Sequence, residues 1–376
     1  MKAFHYLFVC IIIFVCYSCQ SKTEVVETDS QIKQWLTFEG KADRAKIVLI
    51  SGDEEYRSEE ALPQLAKILS TRHGFNCTVL FAQDPEKPGI INPNYVHNIP
   101  GLENLKTADL MVIFTRFRAL PNEQMQYIDD YLKSGKPVIG IRTATHAFNF
   151  SKIDSTSKWK HYSNYYDGND EWNEGFGRLI LGEKWISHHG NHKHQSTRGV
   201  AAPGMDKHPI LNGISQGDIW APTDVYGVRL PLPSDSQPIV LGQVINRIGE
   251  YNEQDSLYGM RFTDNDVAGI EIEKDKDGKE IKINRNEPMM PVAWTKSYQL
   301  PDGQKGNVFT TTLGAATDLL TEGTRRMIIN SVFWCLDLTV PEKTNVDLIG
   351  DYRPSPFAFK EDQYWSDQNL SVSSQQ

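Results

Sequence analysis

From Lys46 onward the chain alternates between short apolar runs and amphipathic stretches. Ile47–Ile50 (IVLI) is a continuous apolar run with polar flanks, as expected for a strand covered on both faces. Residues 58–73 follow, with Leu62, Leu65, Ile68 and Leu69 on one helical face. Ser58 stands where an N-cap belongs, and Gly74 just past the end. Cys77–Phe81 (CTVLF), Ala108–Thr115 (ADLMVIFT) and Val138–Ile141 (VIGI) read as further strands, with a helix over Pro121–Ser134. Strands alternating with helices predict an α/β fold with a doubly wound, mainly parallel sheet. Residues 151–230 read as an inserted loop-rich region. Ile270–Ile283 alternates strictly around Asp277-Gly278, the pattern of a β-hairpin. Val308–Thr312 is a last strand, residues 322–337 a closing helix, and residues 339–376 a polar extension that wraps the surface or stays loose.

The N-terminus has a different pattern. Lys2 precedes an apolar run of nine residues, Leu7–Val15, too short to span a bilayer as a mature helix. Cys16-Tyr17-Ser18-Cys19 follows, and a small residue before a cysteine at this place resembles the lipobox of bacterial lipoproteins. That resemblance implies removal of residues 1–18 and lipidation of Cys19. The chain would then be exported and membrane-anchored, on the periplasmic or cell-surface side. The alternative is an ordinary secretory signal cleaved nearby. Residues 19–45 read as a tether that becomes ordered near Trp35, and residues 46–338 as the α/β domain.

Charge narrows the partners. The 376 residues hold 39 Lys and Arg against 48 Asp and Glu, a net of −9, which becomes −10 without Lys2. An acidic chain with no basic stripe is unsuited to sequence-independent nucleic-acid binding or to peripheral attraction to anionic lipid. Past residue 18 only Cys19, Cys77 and Cys335 remain, so this is not a disulfide scaffold. Cys77 and Cys335 lie in apolar segments and read as core thiols.

Ligands of open parallel sheets bind beyond the carboxyl ends of the strands. Three polar tips should meet there: Asp53-Glu54-Glu55-Tyr56-Arg57, Arg116-Phe117-Arg118, and Arg142-Thr143-Ala144-Thr145-His146. Three acids, four arginines and a histidine at one edge predict a functional pocket, with Asp53, Tyr56, Arg57, Arg116, Arg118, Arg142 and Thr143 as substrate-binding candidates. The other reading is a set of Arg–Glu pairs that lock the loops. The third tip has the position of a nucleophile elbow but lacks G-x-S-x-G and any cysteine.

Seven of ten histidines fall between residues 146 and 208, where even spreading would place fewer than two. The densest stretch is His188-His189-Gly190-Asn191-His192-Lys193-His194. His188, His189, His192 and His194 are candidate ligands for a divalent metal such as Zn, although no recognised metal spacing is present. Alternation would put His192 and His194 on one face of a strand. The competing reading is a loop that uses imidazoles for hydrogen bonds. Residues 159–185 interleave Trp159, Tyr162, Tyr165, Tyr166, Trp172 and Trp185 with acids and amides, which suits either sugar rings or an aromatic core beneath a loop.

Several motifs, taken in their order along the chain, resemble the ThuA-like (trehalose utilisation) family. They are Glu55-Tyr56-Arg57-x-Glu59, Gly140-Ile141-Arg142-Thr143-Ala144-Thr145, His208-Pro209-Ile210-x-x-Gly213-Ile214, Asp224-Val225-Tyr226, Pro291-Val292-Ala293-Trp294, Thr312-Leu313-Gly314, Arg325 and the Asn330–Trp334 helix. The resemblance spans Lys46–Leu338 and implies a class I glutamine amidotransferase-like, flavodoxin-like fold. It departs from the family at Ser58, Arg142, Thr143 and Ala315, where histidine or serine is usual. The amidotransferase nucleophile is absent, so glutaminase activity is not implied. What the resemblance implies is a small carbohydrate or 3-keto sugar as substrate, with Asp224 added to the substrate-binding set. Isomerase, lyase or hydrolase chemistry would use Glu55 or His188 as base. Arg57, Arg116 or Arg142 would hold the oxyanion, and His146 or His189 would return the proton. The alternative is a non-catalytic carbohydrate-binding lipoprotein on a degenerated enzyme fold.

Overall fold

The computed structural model describes residue 1 and residues 32–150 and 156–376. Residues 2–18 of the leader and Cys19 lie outside the described residues. Ile47–Ile50 fulfils the expectation of a doubly covered strand. It belongs to β2 (Lys46–Gly52), which has no exposed residue after Lys46. Its side chains alternate between two cores: Ile47 and Leu49 join one, Val48 and Ile50 the other. The chain continues through α1 (Ser58–His73), β3 (Asn76–Phe81), β4 (Leu110–Thr115), α2 (Asn122–Lys133) and β5 (Val138–Ile141). Residues of α1 share the core of Ile47, and residues of α2 that of Val48, so helices cover both faces of the sheet.

Later strands enlarge that sheet: β6 (Gln195–Ala201), β7 (Trp220–Ala221), β8 (Gln237–Asn246), β9 (Asp266–Val267), β12 (Met290–Gln299) and β13 (Lys305–Thr311). β10 (Ile270–Lys274) and β11 (Glu280–Asn284) form the expected hairpin as a separate pair. Strands β3, β2, β4, β5 and β13 lie side by side and parallel. β12, β8, β6 and β7 continue the sheet antiparallel beyond β13. The protein is thus a mixed α/β fold around one large central sheet. α3 (Glu322–Cys335) packs on the α1 face.

Four features differ from the sequence reading. The first helical residue is Ser58, not the N-cap. Arg57 caps the helix in the left-handed region (φ 61°), while the Ser58 hydroxyl accepts from the Asp53 amide at 3.0 Å. The antiparallel half escaped hydropathy because β6 buries small polar side chains. Thr197 donates to the Thr223 carbonyl at 2.7 Å, and Ser196 accepts from the Trp220 indole at 3.2 Å. The tether contributes a strand, β1 (Trp35–Phe38), which pairs antiparallel with β3 and buries Leu36. The C-terminal extension buries Val346, Phe357, Trp365 and Val372, and it holds a short helix, α4 (Asp362–Gln368). Among the described residues, no helix is long and apolar enough to cross a membrane.

Candidate active site

The three tips do meet at the carboxyl edge of β2, β4 and β5, and most of their polar groups are spent on one another. Asp53 is fully buried. Its Oδ1 accepts from the Glu55 amide at 2.8 Å and from the Tyr56 amide, and its Oδ2 accepts from the Thr143 hydroxyl. Asp53 and Thr143 therefore fix the two loops to each other. Glu54 takes the same role between strands, bonded to Arg116 and, at 2.6 Å, to Arg118. The rest of the Arg118 guanidinium donates to the carbonyls of Arg116, Pro93 and Tyr95, which leaves it buried with no face toward a ligand. Arg57 turns toward α4, 3.4 Å from Glu59 and from the Tyr364 hydroxyl.

Arg142 sits in the left-handed region (φ 47°) at the end of β5, and its guanidinium is enclosed. It lies 4.4 Å from the Tyr56 ring centroid and 3.8 Å from that of Tyr226, an aromatic sandwich around a permanent cation. It donates to the Asp224 carbonyl (2.9 Å), the Asp224 carboxylate (3.1 Å) and the Thr312 carbonyl (2.6 Å). Its charge acts through Asp224.

Asp224 is the centre of the arrangement. A lone bridge between His188 and Tyr226 lays residues 187–190 along 224–227, and the His189 and Gly190 amides both donate to the Val225 carbonyl. Gly190 permits this approach: a Cβ there would stand 3.1 Å from that of Asp224. The Asp224 carboxylate then accepts from His188 Nδ1 at 2.7 Å and from His192 Nδ1 at 3.1 Å. Burial pushes its pKa up. Hydrogen bonds from the two histidines and the Arg142 charge outweigh burial and hold the carboxyl well below its ordinary range. An ionised Asp224 is met by the Nδ1–H of both imidazoles, and His192, whose pKa burial lowers, presents a lone pair on Nε2.

Glu55 faces that lone pair, with Oε1 3.5 Å from His192 Nε2. It is 6 % exposed, and Arg116 Nε lies 3.9 Å from its other oxygen. Burial, then the Asp53 charge, raise the Glu55 pKa to about 7 against the opposing pull of Arg116, Arg142 and His188. Burial also lowers His192 despite Asp224. A carboxyl whose pKa is raised and an imidazole lie here at a distance that a small movement closes to a proton-exchanging contact. His146 stands behind Phe117 and Trp185, with centroids at 4.9 and 5.4 Å. Burial, together with Arg116, Arg142 and His188, pushes it well below its ordinary pKa, so it is a neutral histidine.

The histidine run divides. His188 and His192 join the site. His189 Nε2 donates to the Arg285 carbonyl at 2.8 Å, and His194 stacks on Tyr251 with centroids 5.1 Å apart. The expected alternation of His192 and His194 fails because residues 191–194 form a turn with Lys193 left-handed (φ 63°); β6 begins only at Gln195. The metal-capable set is therefore His188, His192 and Asp224, with one ligand atom of each within 4.8 Å of the others. The aromatic run 159–185 divides too: Trp159, Tyr162 and Trp172 are core, while Tyr165 is exposed.

Two contributors were missed. Phe357 stacks on Tyr56 (5.5 Å) and meets His192 edge-on (5.2 Å), anchored where the Ala358 amide donates to the Glu55 carbonyl at 2.9 Å. Phe359 lies 4.7 Å from the Arg116 guanidinium. Both come from the extension; the only signal was the apolar pair Phe357/Phe359 beside Pro354 and Pro356 in a polar tail.

Fold and site together define an α/β protein with an acid–imidazole cluster at the carboxyl edge of its parallel strands. No protein-family model matches the chain, and no curated protein matches it. Among solved structures, it is similar to a protein described as ThuA-like from Parabacteroides merdae, with 13% identity over 85% of this chain and 99% of that one and a TM-score of 0.41. A protein described in the same way from Bacteroides uniformis is 12% identical over 78% of this chain and 93% of its own, with a TM-score of 0.41. A cytoplasmic protein from Salmonella typhimurium is 13% identical over 77% of this chain and 98% of its own, with a TM-score of 0.33.

Proposed function

We propose that the chain is an exported, lipid-anchored, ThuA-like protein of the doubly wound, glutamine amidotransferase-like class, and an acid–base enzyme acting on a carbohydrate-derived substrate, with a 3-keto sugar as the best fit. The observation that carries this reading is the line from Glu55 through His192 to the buried, ionised Asp224, with His188 as a second imidazole on the same carboxylate. A ketone acidifies the neighbouring C–H bond, and isomerisation or elimination then needs a base, an acid and a group that holds the enolate oxygen. Glu55 takes the proton. Glu55 then returns it to the neighbouring carbon, directly or relayed through the His192 Nε2 lone pair 3.5 Å away. Arg116, the one tip arginine with partial exposure, is placed to hold the oxygen. Arg57, Arg118 and Arg142 are turned away or enclosed.

A second reading is metal-assisted chemistry, favoured by the convergence of His188, His192 and Asp224. Two imidazole nitrogens and a carboxylate oxygen are a ligand set that Zn accepts. One ligand atom of each residue lies within 4.8 Å of the others, close enough for small side-chain movements to bring them onto one ion. A bound metal would supply a Lewis acid at the enolate oxygen.

Incubation of the purified chain with a 3-keto disaccharide, followed by NMR, tests the proposal. New product signals that vanish in the His188→Ala, His192→Ala double variant are expected. Broadened but unchanged sugar signals would instead establish a carbohydrate-binding module and remove the acid–base roles.

A further inference from the structure

Phe117, from the second tip, and the exposed part of the aromatic run take no part in the acid–imidazole cluster. Tyr165 is 47% exposed, and Phe117 and Trp185 are half-buried, so all three rings offer surface to a ligand. Phe117 also stands out by its backbone. It is a bulky residue in the left-handed region (φ 50°), a conformation that persists only where the surroundings impose it. Three backbone bonds impose it here. The Arg116 amide donates to the Gly52 carbonyl at 2.9 Å, the Phe117 amide to that of His146 at 2.9 Å, and the Arg118 amide to that of Ala147 at 2.7 Å. Arg118 is thereby enclosed, while the Phe117 ring next to it stays partly open to solvent.

The rings form one strip that begins at the cluster. The Trp185 centroid lies 5.9 Å from that of His188 and 5.4 Å from that of His146. His146 lies 4.9 Å from Phe117, and Tyr165 stacks on Phe117 at 5.8 Å with the ring planes 25° apart. Arg116, whose Nε is 3.9 Å from Glu55, holds its guanidinium 4.8 Å from the same Phe117 ring. One end of the strip therefore meets Glu55, Arg116 and His188, and the other end is the exposed Tyr165.

The chemistry of the strip selects its occupant. Aromatic surface without a charge of its own pairs with flat apolar surface, which the C–H face of a pyranose and an aryl ring both supply. We propose that Tyr165, Phe117 and Trp185 form a stacking subsite for a second ring, joined by a glycosidic bond to the sugar held at the acid–imidazole cluster. This rests on the reading of that cluster as the place of reaction. The substrate is then a glycoside rather than a free monosaccharide, and Tyr165 determines which group the sugar carries.

The test is titration of the purified full chain with D-glucose, phenyl β-D-glucoside and cellobiose, by calorimetry and saturation-transfer NMR. None of these probes carries a ketone beside the reacting carbon, so none is consumed. At least one two-ring probe should saturate and bind about fivefold tighter than D-glucose, with transfer strongest to its second ring. A preference for the phenyl glucoside identifies an aryl group as the occupant, and a preference for cellobiose identifies a second pyranose. Tyr165→Ala should remove the advantage of the second ring, whereas Tyr165→Phe keeps the ring face and should retain it. Two outcomes overturn the proposal: neither two-ring probe binds tighter than D-glucose, or Tyr165→Ala keeps the advantage. Turnover of a 3-keto disaccharide is scored separately. Stacking without turnover leaves the subsite standing and removes the acid–base reading. Turnover without an advantage that depends on Tyr165 does the reverse. Thermal melts of both variants separate misfolding from loss of a contact.

Discussion

Glu55 and Glu59 lie four residues apart, on either side of the turn that opens α1, and they meet opposite surroundings. Burial raises both carboxyls, Glu55 to about 7 and Glu59 to about 8. Glu55 faces the lone pair of His192, a group that can take a proton and is itself oriented by an ionised Asp224. Glu59 faces the Arg57 guanidinium, which neither takes nor gives a proton at any physiological pH. The same burial therefore sets one carboxyl beside a group that can take its proton and the other beside a fixed cation. The partner, more than the pKa, decides what a buried carboxyl does.

The largest expected effect comes from removing the carboxylate that orients the first of these partners. Asp224→Asn leaves the Arg142 charge enclosed between two tyrosine rings without its counter-ion and should cost about 3–5 kcal/mol. Urea denaturation measures this, and a loss below about 1 kcal/mol would show that Asp224 does not anchor the cluster.

Next in size is Glu55 itself. Its folded pKa lies above the unfolded value of 4.5, so the native state binds the proton more tightly. Stability from this group is present below pH 4.5 and is lost as pH rises through 7. Glu55→Gln should thus be close to neutral at pH 4 and stabilise the chain by up to about 3 kcal/mol at pH 8. A variant equally stable or less stable than the parent at pH 8 contradicts the assigned environment.

The smallest effect distinguishes the two halves of the histidine run. His188→Ala or His192→Ala should weaken Zn binding by at least about tenfold, whereas His189→Ala and His194→Ala should change it by less than about twofold. Equal losses across all four would return the metal to the whole run and remove the division the turn at Lys193 creates.

Much of the fold was legible in the sequence because parallel strands buried on both faces are continuous apolar runs. Ile47–Ile50 and Val138–Ile141 announce themselves in this way. β6 does not, because its buried side chains include Gln195, Ser196 and Thr197, satisfied by hydrogen bonds that no hydropathy pattern records. The site was legible as three polar tips and a histidine run. Which of their members converge was not. Asp53, Thr143 and Arg118 have the residue types of a binding site, yet they serve the loops. The difference depends on pairings between residues such as Thr143 and Asp53, 90 positions apart. Asp224, expected to bind substrate, and Tyr226 stood in a motif that did not show their place beside the histidines, which the His188 bridge sets. Phe357 lay in a tail whose polarity concealed it.

The account rests on Glu55 as a carboxyl that shares a proton with His192. Carbon-13 NMR of selectively labelled glutamate, titrated from pH 4 to pH 9, observes that group directly. The account predicts one carboxyl signal with a midpoint near 7 that disappears in Glu55→Gln. A Glu55 signal that titrates near its ordinary 4.5 would contradict it.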